Sequence, residues 1–220
     1  MAKYSPIFGQ LSKSIAGQTF SHNKGGPYVR RRAIPTNPNA AKQQLRRQAL
    51  AALSAQWATL SPTRQAAWAD WASLHPIIDS LGNSILRSGQ QAFVGLNARL
   101  ASAGIAAVLD PPTANAPQPL TSATPTATAA TGVISVAFTP TPLAAGLRIV
   151  IWTTLPGSGG RNPNFNQARL VGYSAAAQVS PATVTSPYPA ISGQQSNIFV
   201  GVMDANGQVS PPLKTRVTWA

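Results

Sequence analysis

The stretch Asn197-Ile198-Phe199-Val200-Gly201-Val202-Met203, followed by Asp204-Ala205-Asn206-Gly207 and then by Leu213-Lys214-Thr215-Arg216-Val217-Thr218-Trp219, decides the fold class of this chain. Two runs rich in β-branched and aromatic residues flank a turn signal, which is the pattern of paired strands. Upstream, Gly132–Thr139, Gly146–Thr153 and Arg169–Ala176 repeat the composition, with turn residues between them. Five such runs and about two less evident ones, in roughly a hundred residues without cysteine, predict an antiparallel β-sandwich over residues 110–220. Trp152 is expected as a core anchor and Trp219 as the anchor of the end strand. Residues 110–131, from Asp110-Pro111-Pro112 through a Thr/Ala/Pro run, read as a linker leading into this domain.

Before the linker the periodicity is helical. Asn37-Pro38 is a start signal, a capping side chain followed by proline at the first helical position. Ala41, Leu45, Ala49, Leu53, Trp57 and Leu60 then recur at three- and four-residue steps, one apolar stripe with Lys42, Arg46 and Arg47 beside or opposite it. Ser61-Pro62 opens a second helix carrying Trp68, Trp71 and Leu74, and Pro76 ends it. A third runs from about Ser88 to Ala103, with Phe93, Leu96 and Leu100 on one face and Gly104 as its stop. Residues 39–109 are therefore expected to form a small helical bundle, and the tryptophans Trp57, Trp68 and Trp71 its core rather than a ligand cage.

Residues 1–38 hold no long periodicity, and Gly9, Gly17, Gly25-Gly26, Pro27 and Pro35 interrupt them. They read as an extended arm with a hairpin at Asn23-Lys24-Gly25-Gly26. The whole is an α+β multidomain chain: arm 1–38, helical region 39–109, sandwich 110–220.

Charge is distributed unevenly along this plan. Ten lysines and arginines and no carboxylate occupy residues 1–64, in a chain of 220 residues with no glutamate and a net charge of +13. A segment that cannot neutralise itself needs an acidic partner from outside. Lys24, Arg30, Arg31, Arg32, Lys42, Arg46 and Arg47 are the candidate partner-binding residues. Strand alternation would send Arg30 and Arg32 to one face and Arg31 to the other. Guanidinium groups suit phosphate and carboxylate oxygens alike, so acidic protein surfaces and nucleic acid both remain as partners.

The composition argues against catalysis. Without cysteine there are no disulfides and no thiolate metal sites. The histidines are His22 and His75, and four aspartates with no glutamate leave little for general acid–base pairs. His75 and Asp79 fall short of a metal site, which needs three or four convergent ligands. Gly157, Gly159 and Gly160 lack the lysine and helix of a phosphate-binding loop and read as a β-loop. No enzyme activity and no cofactor are expected. No run approaches the roughly 20 apolar residues of a membrane span, and the N-terminal residues lack a secretory signal pattern. The chain reads as soluble and unprocessed.

The arm and first helices resemble an uncharacterised group of bacteriophage and prophage proteins. The shared elements are Gly17-Gln18-Thr19-Phe20, Val29-Arg30-Arg31-Arg32, Pro35-Thr36-Asn37-Pro38, Gln44 with Arg47, and Trp57, Arg64, Trp68 and Trp71, within about residues 15–75. The C-terminal part is similar to fibronectin-type or immunoglobulin-like sandwiches. The resemblance implies a phage structural protein located in the virion, made in the host cytoplasm and contacting other capsid, neck or tail subunits in a symmetric assembly. A head-associated, decoration- or cement-type role leads, with a neck or tail component as the alternative. Nucleic-acid binding through the basic arm is a further reading, and a carbohydrate-binding adhesin, resting on the sandwich alone, ranks last.

Overall fold

The computed structural model describes residues 2–3, 13–23, 26–34, 37, 39–78 and 83–220; within these, the side chains of Ala2, Lys3, Asn23 and Lys42 lie outside the description. The fold is mixed α+β, with three helices and several antiparallel sheets. The chain divides into two compact units, Met1–Gln44 and Leu45–Ala220.

The first unit is a sheet where the sequence leads one to expect an extended arm. Strands β1 (Ala2–Lys3), β2 (Lys13–Ile15), β3 (Gln18–Asn23) and β4 (Gly26–Arg31) pair antiparallel in the order β1-β4-β3-β2. Ala16 and Gly17 join β2 to β3 with both residues in the left-handed region (φ 47° and 78°), the geometry that matches the twist of two adjacent strands. The β3–β4 ladder runs from Gln18 opposite Arg31 to Asn23 opposite Gly26. That register agrees with the hairpin position read from the sequence, although Lys24 and Gly25 lie outside the described residues. Backbone pairing explains the difference from an arm: runs such as Gln18–Ser21 and Tyr28–Arg30 are too short to show a period, yet long enough to complete a ladder.

The helix expected from Asn37-Pro38 begins later, as α1 (Ala41–Thr59). Asn37 Oδ1 accepts a hydrogen bond from the Asn39 amide (3.2 Å), and Asn39 is left-handed (φ 48°). A side-chain turn of this kind competes with helical backbone and delays the start. Pro35, Thr36 and Pro38 lie outside the described residues.

In the second unit, α1 uses only the later part of its stripe. Leu53 and Leu60 are buried and Trp57 half-buried, whereas Leu45 is 65% exposed. Helix α2 (Pro62–Leu74) is capped by Ser61, and α3 (Gly89–Ser102) by a reciprocal Ser88–Gln91 box. A side chain at Gly89 would place its Cβ 2.7 Å from the Ala69 nitrogen, so glycine lets α3 start directly against α2. Trp68, Trp71, Ala72, Phe93 and Leu96 form the core between them, Trp68 edge-on to Phe93 at 5.5 Å. The Trp68 indole donates to the Leu109 carbonyl (2.9 Å), and fully buried Asn97 exchanges two hydrogen bonds with the Val108 backbone. A ribbon of β5 (Ile77–Ile78) and β6 (Ser84–Ile85) lies between α2 and α3 in chain order.

Seven strands follow. β7 (Ser122–Thr128), β8 (Val133–Thr139) and β11 (Ala182–Thr185) form one sheet, in the order β11-β8-β7. β9 (Arg148–Thr153), β10 (Arg169–Tyr173), β12 (Gln195–Met203) and β13 (Leu213–Thr218) form the other, in the order β10-β9-β12-β13. Ile134, Val136 and Phe138 from β8 meet Ile149, Ile151, Ile198, Val200, Val202 and Trp219 between the two sheets. The Thr/Ala/Pro run read as linker is in part strand β7: small residues fit against β8, and the ladder from Ser122–Thr139 to Thr128–Val133 supplies its order.

The four-stranded sheet is covered on its outer face too. Leu100 of α3 packs with Val150 and Met203, all buried. Gly207 (φ 79°) sits so close to α3 that a Cβ there would lie 2.6 Å from the Leu96 carbonyl oxygen, and Arg99 Nη1 donates to the Gly207 carbonyl (3.2 Å). Trp152 belongs to this outer side with Phe165 and Phe199, not between the sheets. Trp219, expected as the end-strand anchor, is fully buried between the sheets and donates to Ser196 Oγ (3.0 Å).

Candidate interaction surface

Cross-strand register sorts the first sheet into two chemically different faces. Arg30 stands opposite Thr19, which pairs with Ser14; this row shares its face with Tyr28 and Ser21. Arg31 stands opposite Gln18, which pairs with Ile15, and shares the other face with Val29 and Phe20. One face is thus hydroxyl-rich with a guanidinium; the other mixes Ile15, Phe20, Pro27 and Val29 with Lys13, Gln18, His22 and Arg31. The Ser14 and Thr19 hydroxyls hydrogen-bond across the strands (2.9 Å). Among the described residues of this sheet none whose side chain is described is buried; Thr19, Phe20, Ser21, Tyr28 and Val29 are half-buried, and Ile15 is 60% exposed.

Arg30, Arg31 and Arg32 are all exposed. Arg32 lies just past β4, and its amide donates to the Gly17 carbonyl (2.8 Å), which ties it to the β2–β3 turn. The alternation expected for Arg30 and Arg31 follows from the ladder. Lys24 lies outside the described residues, and Lys42 is placed in α1 by its backbone alone. Arg46 and Arg47 are exposed on α1 and belong to the second unit, apart from Arg30, Arg31 and Arg32 of the first.

The last of the ten N-terminal cations, Arg64, has a carboxylate partner. Its Nε donates to Asp110 Oδ1 (2.8 Å) and its Nη2 to Asp110 Oδ2 (3.3 Å). Asp204 is occupied by its own turn, accepting from the amides of Asn206 (2.9 Å) and Gln208 (2.8 Å). His75 Nδ1 lies 2.8 Å from the Trp71 carbonyl oxygen, and its ring stacks on the Trp71 indole at 4.3 Å. Asp79 lies outside the described residues. Among the described residues no three histidine or carboxylate side chains come together, and no helix is long and apolar enough to cross a membrane.

Sequence reading misses a second kind of surface. Leu74, Ile77, Ile78, Ile85 and Leu86 are exposed around the β5–β6 ribbon. Isoleucines beside Pro76 were available as a signal, but nothing in a linear pattern says that they stay uncovered.

No protein-family model matches the chain, and no curated protein matches it. Among solved structures, a family 76 glycoside hydrolase from a bovine Bacteroides thetaiotaomicron strain aligns over 47% of this chain and 20% of its own, at 13% identity and a TM-score of 0.35. A Fn3-like protein from Clostridium thermocellum aligns over 48% of this chain and 96% of its own, at 10% identity and a TM-score of 0.34. The matched region thus spans about a fifth of the hydrolase chain. At these scores neither likeness bears on activity.

Proposed function

We propose that this chain is a structural, non-catalytic subunit of a larger assembly, docked onto acidic surfaces of neighbouring subunits through its basic N-terminal sheet. The setting is a tailed-phage virion, and a head-associated position is preferred over neck or tail. The C-terminal pair of sheets, a fibronectin type III or immunoglobulin-like sandwich in this reading, stands as the interaction module.

One observation carries the reading. The N-terminal sheet holds four strands and no buried residue among those whose side chains are described, while one face lines up Ile15, Phe20 and Val29 with Lys13, His22 and Arg31. Small sheets need a covered hydrophobic face for stability. A neighbouring subunit that is apolar at the centre and acidic at the rim would cover this one and neutralise Arg30, Arg31 and Arg32 together. Charge-assisted hydrogen bonds to carboxylates are worth about twice their neutral counterparts, so desolvated arginines at such a contact contribute substantially.

The test replaces Arg30, Arg31 and Arg32 with glutamine in the full chain and follows incorporation into nuclease-treated particles by quantitative mass spectrometry. Wild-type copy numbers on the order of hundreds place the chain on the head, and about six or twelve place it in a ring at the neck or tail. The variant should fold normally, incorporate poorly, and show a shallower dependence of docking on salt, because fewer ion pairs are left to screen. Absence of the wild-type chain from particles refutes the virion setting. A variant defective only in DNA binding, with incorporation intact, favours the nucleic-acid reading instead.

A further inference from the structure

We infer that the outer face of the four-stranded sheet holds a binding site for a single tetrahedral oxyanion, phosphate or sulfate, between Arg161 and Arg216. Lys214 and Arg216 are two residues apart on β13 and so share a face, opposite Phe199 and Asn197 of β12. The segment between β9 and β10 folds across that face and is tied down at several points. Gly157 and Gln195 exchange backbone hydrogen bonds (2.9 and 2.8 Å). Asn197 Nδ2 donates to Asn162 Oδ1 (3.0 Å) and to the Pro163 carbonyl (2.8 Å). Phe165 meets Trp152 and Phe199 edge-on at 5.3 and 5.2 Å.

Three cations converge on this segment. Lys214 Nζ donates to Asn162 Oδ1 (2.8 Å), and Arg216 Nη2 donates to the Arg161 carbonyl (3.3 Å). The Arg161 side chain folds back so that Nη1 lies 3.7 Å from where a Cβ on Gly157 would be. Arg161 and Arg216, but not Lys214, border a cavity of about 100 Å³ that Thr154, Gly157, Gln195 and Asn197 also line. Among the described residues no carboxylate pairs with any of the three cations; Asp110 is taken by Arg64 and Asp204 by its own turn.

This arrangement differs from a solvated charge run. The floor includes polar residues that are almost wholly buried, Thr154 and Asn197, both at 1% exposure. Asn197 spends both amide hydrogens on the loop, and its backbone amide donates to Thr154 Oγ1 (2.9 Å). It is a positioning residue that holds Arg161 over the sheet. Each guanidinium has five donors and commits few of them to the protein. Two such forks around a cavity of this size suit one oxyanion, which would also relieve the repulsion among three uncompensated cations. The stretch 157–160 is thus part of a β-connection beside the cations and not a helix-led phosphate loop.

The test is a residue-resolved NMR titration of the full chain with inorganic sulfate, then inorganic phosphate, against chloride at matched ionic strength. Saturable shifts should concentrate at the amides of Gly157, Arg161, Asn197 and Arg216. Arg216→Gln should weaken binding about tenfold or more, as expected for losing a charge-assisted contact, while Arg148→Gln should leave it unchanged. A sulfated tetrasaccharide serves as the third arm: tighter binding than free sulfate identifies an oxyanion carried on a polymer, and equal binding a free ion. Urea unfolding of Arg216→Gln verifies that the fold is retained; if it is lost, Arg161→Gln replaces it. Linear, non-saturating shifts, or undiminished affinity in a folded variant, overturn the assignment.

Discussion

Leu100→Ala tests whether the helices and the two facing sheets unfold as one body. Leu100 has no exposed surface and sits between α3 and the sheet residues Val150 and Met203. Removing its side chain loses transfer free energy and leaves a cavity, which in comparable buried sites costs about 2–5 kcal/mol. A value of about 3 kcal/mol fits a site where Gly207 already abuts the α3 backbone and limits collapse. For a unit of this size the urea dependence is about 2–3 kcal/mol per molar, so the midpoint should fall by roughly 1 M. Urea titration followed by far-UV ellipticity reports on the helices, and native-state hydrogen exchange of β9 and β12 amides reports on the sheet. Both should shift together by the same free energy. If the ellipticity transition moved while exchange in β9 and β12 stayed as in wild type, the helical part and the sheets would be separately stable. The interface argued from Leu100, Val150, Met203 and Gly207 would then be energetically empty.

Three further outcomes follow from the same structure. Gly207→Ala should destabilise by about 1–3 kcal/mol, from its positive φ together with the clash against the Leu96 carbonyl, and combined with Leu100→Ala it should be non-additive in the same urea assay. Asp110→Asn should cost less than about 1 kcal/mol in that assay, because the Arg64–Asp110 pair is 43% and 68% exposed and water screens it. Burial pushes the Tyr173 hydroxyl above the ordinary tyrosine range, with Arg46, the Ser102 hydroxyl and Arg99 opposing. The folded state therefore keeps the proton longer than the unfolded state, and the associated stability is full below the unfolded value of about 10 and lost as pH rises toward the folded value. Tyr173→Phe should flatten that alkaline decline, measured by thermal unfolding across the alkaline range.

The helices were the most legible part of the chain, and for local reasons. Ser61-Pro62 carries its own start signal and Gly104 marks the stop of α3, whereas the Ser88–Gln91 box emerges from the structure. Asn37-Pro38 misled because Asn37 and Asn39 form a turn that only the backbone geometry reveals. The candidate site was half legible. The excess of cations is a property of composition, whereas the division of Arg30 and Arg31 between a hydroxyl-rich face and a face of mixed apolar and basic residues depends on the register with Thr19 and Gln18. Arg161 and Arg216 could not be associated from sequence, since the connection between β9 and β10 has no period that would place it over β13.

By itself the sequence determined the strand-forming runs, the capped helices and the uneven charge, because each depends on neighbours within a few positions. Tertiary structure decided what had no local signal. The strand Ser122-Ala123-Thr124-Pro125-Thr126-Ala127-Thr128 alternates threonine with small apolar residues, but Pro125 and the lack of bulky side chains make it read as linker, and the ladder on β8 orders it. Ile149-Val150-Ile151-Trp152 is apolar throughout, so alternation could not say which residues face the opposite sheet. α3 supplies the second buried side, and Trp152 goes to it because strand parity puts it with Val150. Local propensity writes itself along the chain; which face is covered, and by what, arises only when distant segments meet.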